Sequence, residues 1–148
     1  MPRDDQHTQK AERNEQFAGR LDITDATCES WAVIAAFYSA LHYAQSILVN
    51  SGSDCSDHKT RSIEIARDPI LKYVAGAYEH LFKLSHLARY KVMALPPKAY
   101  ESARADLTAI KKQVVNARAP GSDSAQQRPP ANCGILFQIV VGRGLNRD

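Results

Sequence analysis

Cysteine is scarce and badly placed for chemistry in this chain. Cys28, Cys55 and Cys133 are odd in number, far apart and never spaced as a Cys-x-x-Cys pair. That pattern excludes a disulfide framework and a cysteine-based zinc site, and it fits a reducing, cytoplasmic setting. No His-Glu-x-x-His run occurs, and His80 and His86 stand six apart, off a common helix face; no metal is expected. No Gly-rich phosphate loop follows a strand, and the Gly142–Arg143–Gly144 triplet sits in the tail. No Gly-x-Ser-x-Gly elbow surrounds any serine. With these signatures missing, no cofactor is expected. The polar start, MPRDDQHTQKAERNEQ, has no apolar segment of the kind a secretory signal needs.

What is present is one long apolar stretch, residues 31–49, WAVIAAFYSALHYAQSILV. Its length matches a bilayer span of about 20 residues. However, Ser39, His42, Gln45 and Ser46 interrupt it and Ala outnumbers Leu, so it reads as the central helix of a bundle, with no membrane partner. Residues three and four apart share a helix face. Ser39, His42 and Ser46 therefore form a thin polar stripe that carries a histidine inward. That imidazole needs a partner or a use.

Helical periodicity organises the rest. A first helix is expected at about 8–21 after a frayed start, with Ala11, Asn14, Phe17 and Leu21 in phase. Asp25 or Thr27 caps a second helix at about 27–50, which Asn50, Ser51 and Gly52 end. Asp57 caps a short third helix at about 58–67. Pro69 opens a fourth running to about 93, and Pro96–Pro97 breaks it. A fifth covers about 98–117, with Tyr100, Ala103, Leu107, Ile110 and Val114 on one side. The expected class is all-α, an antiparallel bundle of about five helices over residues 1–118. Residues 119–148 read as a Pro/Gly/Ser-rich linker, expected to be largely disordered, with an apolar stretch at 135–141.

Charge is divided along the chain. Residues 1–82 hold eight Lys/Arg against twelve Asp/Glu, whereas residues 83–118 hold eight against two. The basic segment is either a surface for phosphate-bearing partners or a solvated face that pairs with the acidic half.

Several motifs, taken in order, carry a resemblance. They are Ala36-Phe37-Tyr38-Ser39-Ala40-Leu41-His42, a Gly/Ser loop, His58 with Arg61 at the head of a short helix, and Ser85-His86-Leu87-Ala88-Arg89-Tyr90 before a last amphipathic helix. Together they resemble the HEPN domain, in particular its small stand-alone bacterial members. The resemblance implies an antiparallel up-and-down helical core and a homodimer. It also implies nucleotide or RNA binding, or service to a nucleotide-handling partner, in settings such as defence or toxin–antitoxin systems. Many members are metal-independent ribonucleases that use an Arg followed, after four to six residues, by a His. This chain has no such pair: Arg3 and His7 have three residues between them. The resemblance therefore implies a non-catalytic binding member, with a ribonuclease built on a rearranged His/Arg site, or a purely structural protein-interaction module, as alternatives.

The candidate ligand-binding residues are His42, His58, Arg61, Arg89 and Tyr90. His42 is either a satisfied core imidazole or the lining of a cleft that meets phosphate or ribose. His58 and Arg61 share a face at a helix N-terminus, where an anion is favoured, unless the site is only a capped turn. Arg89 and Tyr90 together can clamp a phosphate and a base, although Tyr90 taken singly reads as core packing.

Overall fold

The computed structural model describes residues 3–119. Among them, all regular structure is helical, in five α-helices and two 3-10 turns, without strands. The helices are α1 (Asp4–Arg20), α2 (Ala26–Leu48), α3 (His58–Arg67), α4 (Ala75–Tyr90) and α5 (Ala99–Arg118). The expected all-α bundle is what forms. The 119–148 tail, with Cys133 and the apolar 135–141 stretch, lies almost entirely outside the described residues.

The long apolar stretch becomes α2, and α1, α4 and α5 pack around it. Asp25 starts α2 by accepting from the Cys28 amide at 2.8 Å, which satisfies a free N–H of the first turn. A 3-10 turn at Val49–Ser51 and Gly52 at φ +78° stop it. Only the missing Cβ makes that left-handed turn cheap. Ala32, Val33, Ala36, Phe37, Ala40, Ala44 and Leu48 are all buried, and the alanines let neighbouring backbones come close. α2 is long and apolar enough to cross a membrane, yet 78% of its most apolar stretch is buried in the bundle.

Contacts fix the helix directions. His7 and Ala11 of α1 meet His42 and Ser39 of α2, so these two run antiparallel. Phe37 packs on Tyr78 and Phe82, while Ala26, Trp31 and Ile34 at the start of α2 share a cleft with Ala88 and Arg89 at the end of α4, so α4 also opposes α2. Lys111 lies over Tyr43 and Arg118 reaches the Ser46 carbonyl, so α5 runs alongside α2. Trp31 is exposed and Tyr38 and His42 are half-buried, so these three mark the least covered side of α2, which α3 meets near its end.

Three boundaries differ from expectation. α1 begins at Asp4, because the Arg3 amide donates to the Gln6 side chain at 2.9 Å and Asp4 and Asp5 sit at the positive end of the helix dipole. Among the described residues, which begin at Arg3, the start is helical rather than frayed. The fourth helix does not begin at Pro69 or reach residue 93. Asp68 accepts from the Ile70 and Leu71 amides (2.8 and 3.0 Å), which winds a separate 3-10 turn, Leu71–Val74, before α4. Beyond Tyr90 the chain turns extended at Lys91 and stays non-helical toward Pro96, whose ring disfavours helix in the residue before it.

Candidate functional site

The polar stripe of α2 is satisfied residue by residue. Ser39 donates to the Ala11 carbonyl at 2.8 Å, and Ser46 donates to the Tyr43 carbonyl at 2.6 Å. The Gln45 amide nitrogen donates to the Ser53 carbonyl at 3.0 Å, while its oxygen accepts from Arg61 Nε at 3.1 Å. His42 Nδ1 lies 3.0 Å from His7 Nδ1, so one ring donates there and the other accepts. Burial, reinforced by His7, Lys10 and Arg61, lowers the His42 pKa to about 4. His7 is lowered too, mainly by burial and against the pull of Asp54. At neutral pH both are held as uncharged imidazoles.

Arg61 is only 7% exposed. The expectation that its fork is offered to an outside anion at the α3 N-terminus does not survive. The terminus is already occupied by Asp57, which accepts from the Thr60 amide (2.8 Å) and hydroxyl (2.7 Å). The guanidinium turns inward instead and bonds Gln45 and the Cys55 carbonyl. Among the described residues no carboxylate comes within ion-pair distance of it. Tyr78 lies close enough for Arg61 to oppose the effect of burial, which nevertheless pushes the Tyr78 phenol up to about 12. The Tyr78 hydroxyl is buried without a geometric hydrogen-bond partner, as are His7 Nε2 and His58 Nδ1.

His58 stands between the two candidate arginines. Its pKa is lowered by burial first, then by Arg61 and Arg89. Its ring packs on Phe37 and Phe82 at 5.5 and 5.3 Å. It also lines a cleft of about 480 Å³ between α3 and α4, with Lys59, Ile63 and Phe82.

Arg89 is half-buried and likewise held by neutral groups. It donates to the Ser85 carbonyl (3.2 Å), the Ser85 hydroxyl (3.1 Å) and the Tyr38 hydroxyl (3.2 Å). Its guanidinium carbon lies 5.7 Å from the Phe37 and Tyr38 rings and 5.3 Å from Tyr90. Three of five guanidinium N–H groups are thus used, and two remain for a ligand. Arg89 also lines a second cleft of about 610 Å³ where the start of α2 meets the segment after α4. Tyr90 is 66% exposed, which corrects its reading as core: α4 ends there and its ring stacks only on His86, at 5.0 Å, and beside Arg89.

Four of the five candidates, His42, His58, Arg61 and Arg89, therefore share one electrostatic neighbourhood but not one cavity, and Tyr90 joins them only through its ring beside Arg89. Arg61 bears on His42 and His58, and Arg89 bears on His58. His58 and Arg89 open into different clefts. His7 is the residue that sequence reasoning missed. Its signal was Asp4-Asp5-Gln6, a helix start that fixes His7 one turn before Ala11. Among the described residues no group of three or more His, Cys, Asp or Glu could hold a metal.

Fold and site together define an all-α bundle in which a half-buried imidazole of the central helix pairs with one of α1, while α3 and α4 each supply an arginine with no carboxylate within ion-pair distance among the described residues. Comparison with family models, with curated proteins and with solved structures finds no match to this chain.

Proposed function

We propose that this chain is a HEPN-like, non-catalytic, cytoplasmic homodimer that binds nucleotide or RNA, or a nucleotide-handling protein partner. The observation that carries the reading is Arg89. Its charge is pinned by neutral oxygens and aromatic faces, no carboxylate among the described residues lies within ion-pair distance, and it lines a cleft with two N–H donors unused by those bonds. A fixed guanidinium with spare donors is suited to a phosphate. Lys91 lines the same cleft and supports the reading by adding a second cation near Arg89.

The test is anisotropy with a short single-stranded RNA at low and moderate salt. Binding that weakens with salt and falls about tenfold in Arg89→Ala, with helicity unchanged, is the expected result. RNA binding indifferent to that substitution contradicts it.

A second reading, metal-independent RNA cleavage, is favoured by His58. It is a neutral imidazole with a buried, unpartnered Nδ1 between two cations, the pairing that a general base and a charge stabiliser need. RNA left intact with and without EDTA between pH 5 and 9 removes this alternative.

A further inference from the structure

The cleft beside Arg89 has features that phosphate binding leaves unused. Trp31, the chain's sole tryptophan, lines it and is 56% exposed, on a helix that is otherwise mostly buried. Leaving an indole in water forgoes the largest apolar burial any side chain offers, so the exposure calls for a use. Trp31 precedes Tyr38 by seven residues, two helical turns, which puts both on the open side of α2. Tyr38 is the residue that bonds Arg89. The indole and the guanidinium therefore lie along one side of the molecule, about 10 Å of helix rise apart. Lys91 adds a second cation to the lining, and Met93 and Leu95 add apolar surface. Glu29 is the carboxylate in the lining. It disfavours a bare phosphate and accepts from a base amino group. The first turn of α2 does not compete for the anion, because Asp25 already occupies it.

We infer that this cleft is a nucleobase site: one base stacks on Trp31 while its phosphate is held by Arg89 and Lys91. The inference rests on the function proposed above and names the ligand of that site as a nucleotide unit, either free or within a single strand. Stacking on an aromatic side chain tolerates any base, which suits a site with few directional groups.

Trp31 reports on its own site, because no other indole contributes fluorescence. The full chain is titrated with adenosine and guanosine monophosphate, a six-residue single-stranded RNA and inorganic phosphate, while equilibrium dialysis follows retention of the same compounds. The nucleotides or the RNA should quench Trp31, and inorganic phosphate should not. Trp31→Ala should weaken retention about tenfold or more, and Trp31→Phe should restore most of it. Quenching by mononucleotides assigns the free form; quenching by the RNA alone assigns the strand. Retention with Trp31 emission unmoved, and Trp31→Ala equal to the parent, overturns the base site and leaves the proposed function standing. No retention of any nucleotide or RNA overturns both. A concentration-dependent blue shift without ligand, unaffected by nucleotide, shows a second copy covering this face and also overturns the base site.

Discussion

Cations are treated in opposite ways on the two flanks of α2. Along the seam of α1 and α5 they meet carboxylates. Lys111 reaches Glu15 at 2.8 Å, and Arg118 approaches Asp4 at 3.4 Å. Tyr43 donates to the same Glu15 oxygen. On the flank of α3 and α4, Arg61 and Arg89 meet only amides, carbonyls, hydroxyls and rings. The seam staples two helices that hold on through side chains, and its charges cancel at home. The other flank pairs Arg67 with Glu64 within α3 but leaves Arg61 and Arg89 without a carboxylate at ion-pair distance among the described residues. A protein can neutralise a surface cation with almost any nearby acid, so two arginines kept from acids, with a histidine between them, mark the flank that faces a ligand.

The sharpest way to break this contrast is to remove Arg61. Arg61→Ala strands the Gln45 oxygen and the Cys55 carbonyl inside the bundle and should cost about 3 kcal/mol in urea unfolding with an unchanged m-value. Arg61→Lys should recover only part, because an ammonium lacks the fork that spans both acceptors. Acid gives the next largest effect. The folded His42 pKa is about 4 against 6.5 when unfolded, so the unfolded chain takes up its proton first as pH falls. The contribution of His42 should be complete above pH 6.5, be lost as pH drops to 4 and change no further below. The loss should be about 2 kcal/mol once solvent screening is allowed for. His42→Gln should flatten that slope in denaturation measured from pH 7 to 4. Arg89→Ala should cost at most about 1 kcal/mol, being half-exposed, while binding falls tenfold. Lys111→Ala should be smallest, about 0.5 kcal/mol or less, as for other exposed ion pairs, and should leave binding alone.

How much of this was legible in the residues follows from what each signal encodes. The bundle was legible, because period 3.6 burial dominates α2 and α5 and Gly52 and Pro96–Pro97 punctuate them. Capping by Asp25 and Asp57 was legible as well, since it acts over three residues. The start of α4 was not, because Asp68 winds a turn whose bonds compete with the helix that Pro69 suggested. The site was half legible. His42, His58, Arg61 and Arg89 do share a neighbourhood, but whether a side chain turns in or out depends on tertiary partners. Arg61 went inward because Gln45 and Cys55 offered acceptors from elements distant in the chain. Tyr90 went outward because the helix stopped beneath it. Trp31 begins the apolar stretch that reads as the central helix, and only the placement of the other helices leaves it 56% exposed.

The most direct test of the contrast is the salt dependence of single-stranded RNA binding in the parent, Arg89→Ala and Lys111→Ala. The slope of log affinity against log salt should lose about 0.7 in Arg89→Ala, one phosphate contact on a single strand, and stay at the parent value in Lys111→Ala. Three equal slopes, or a loss confined to Lys111→Ala, would contradict the assignment of the unpaired arginine as the phosphate contact.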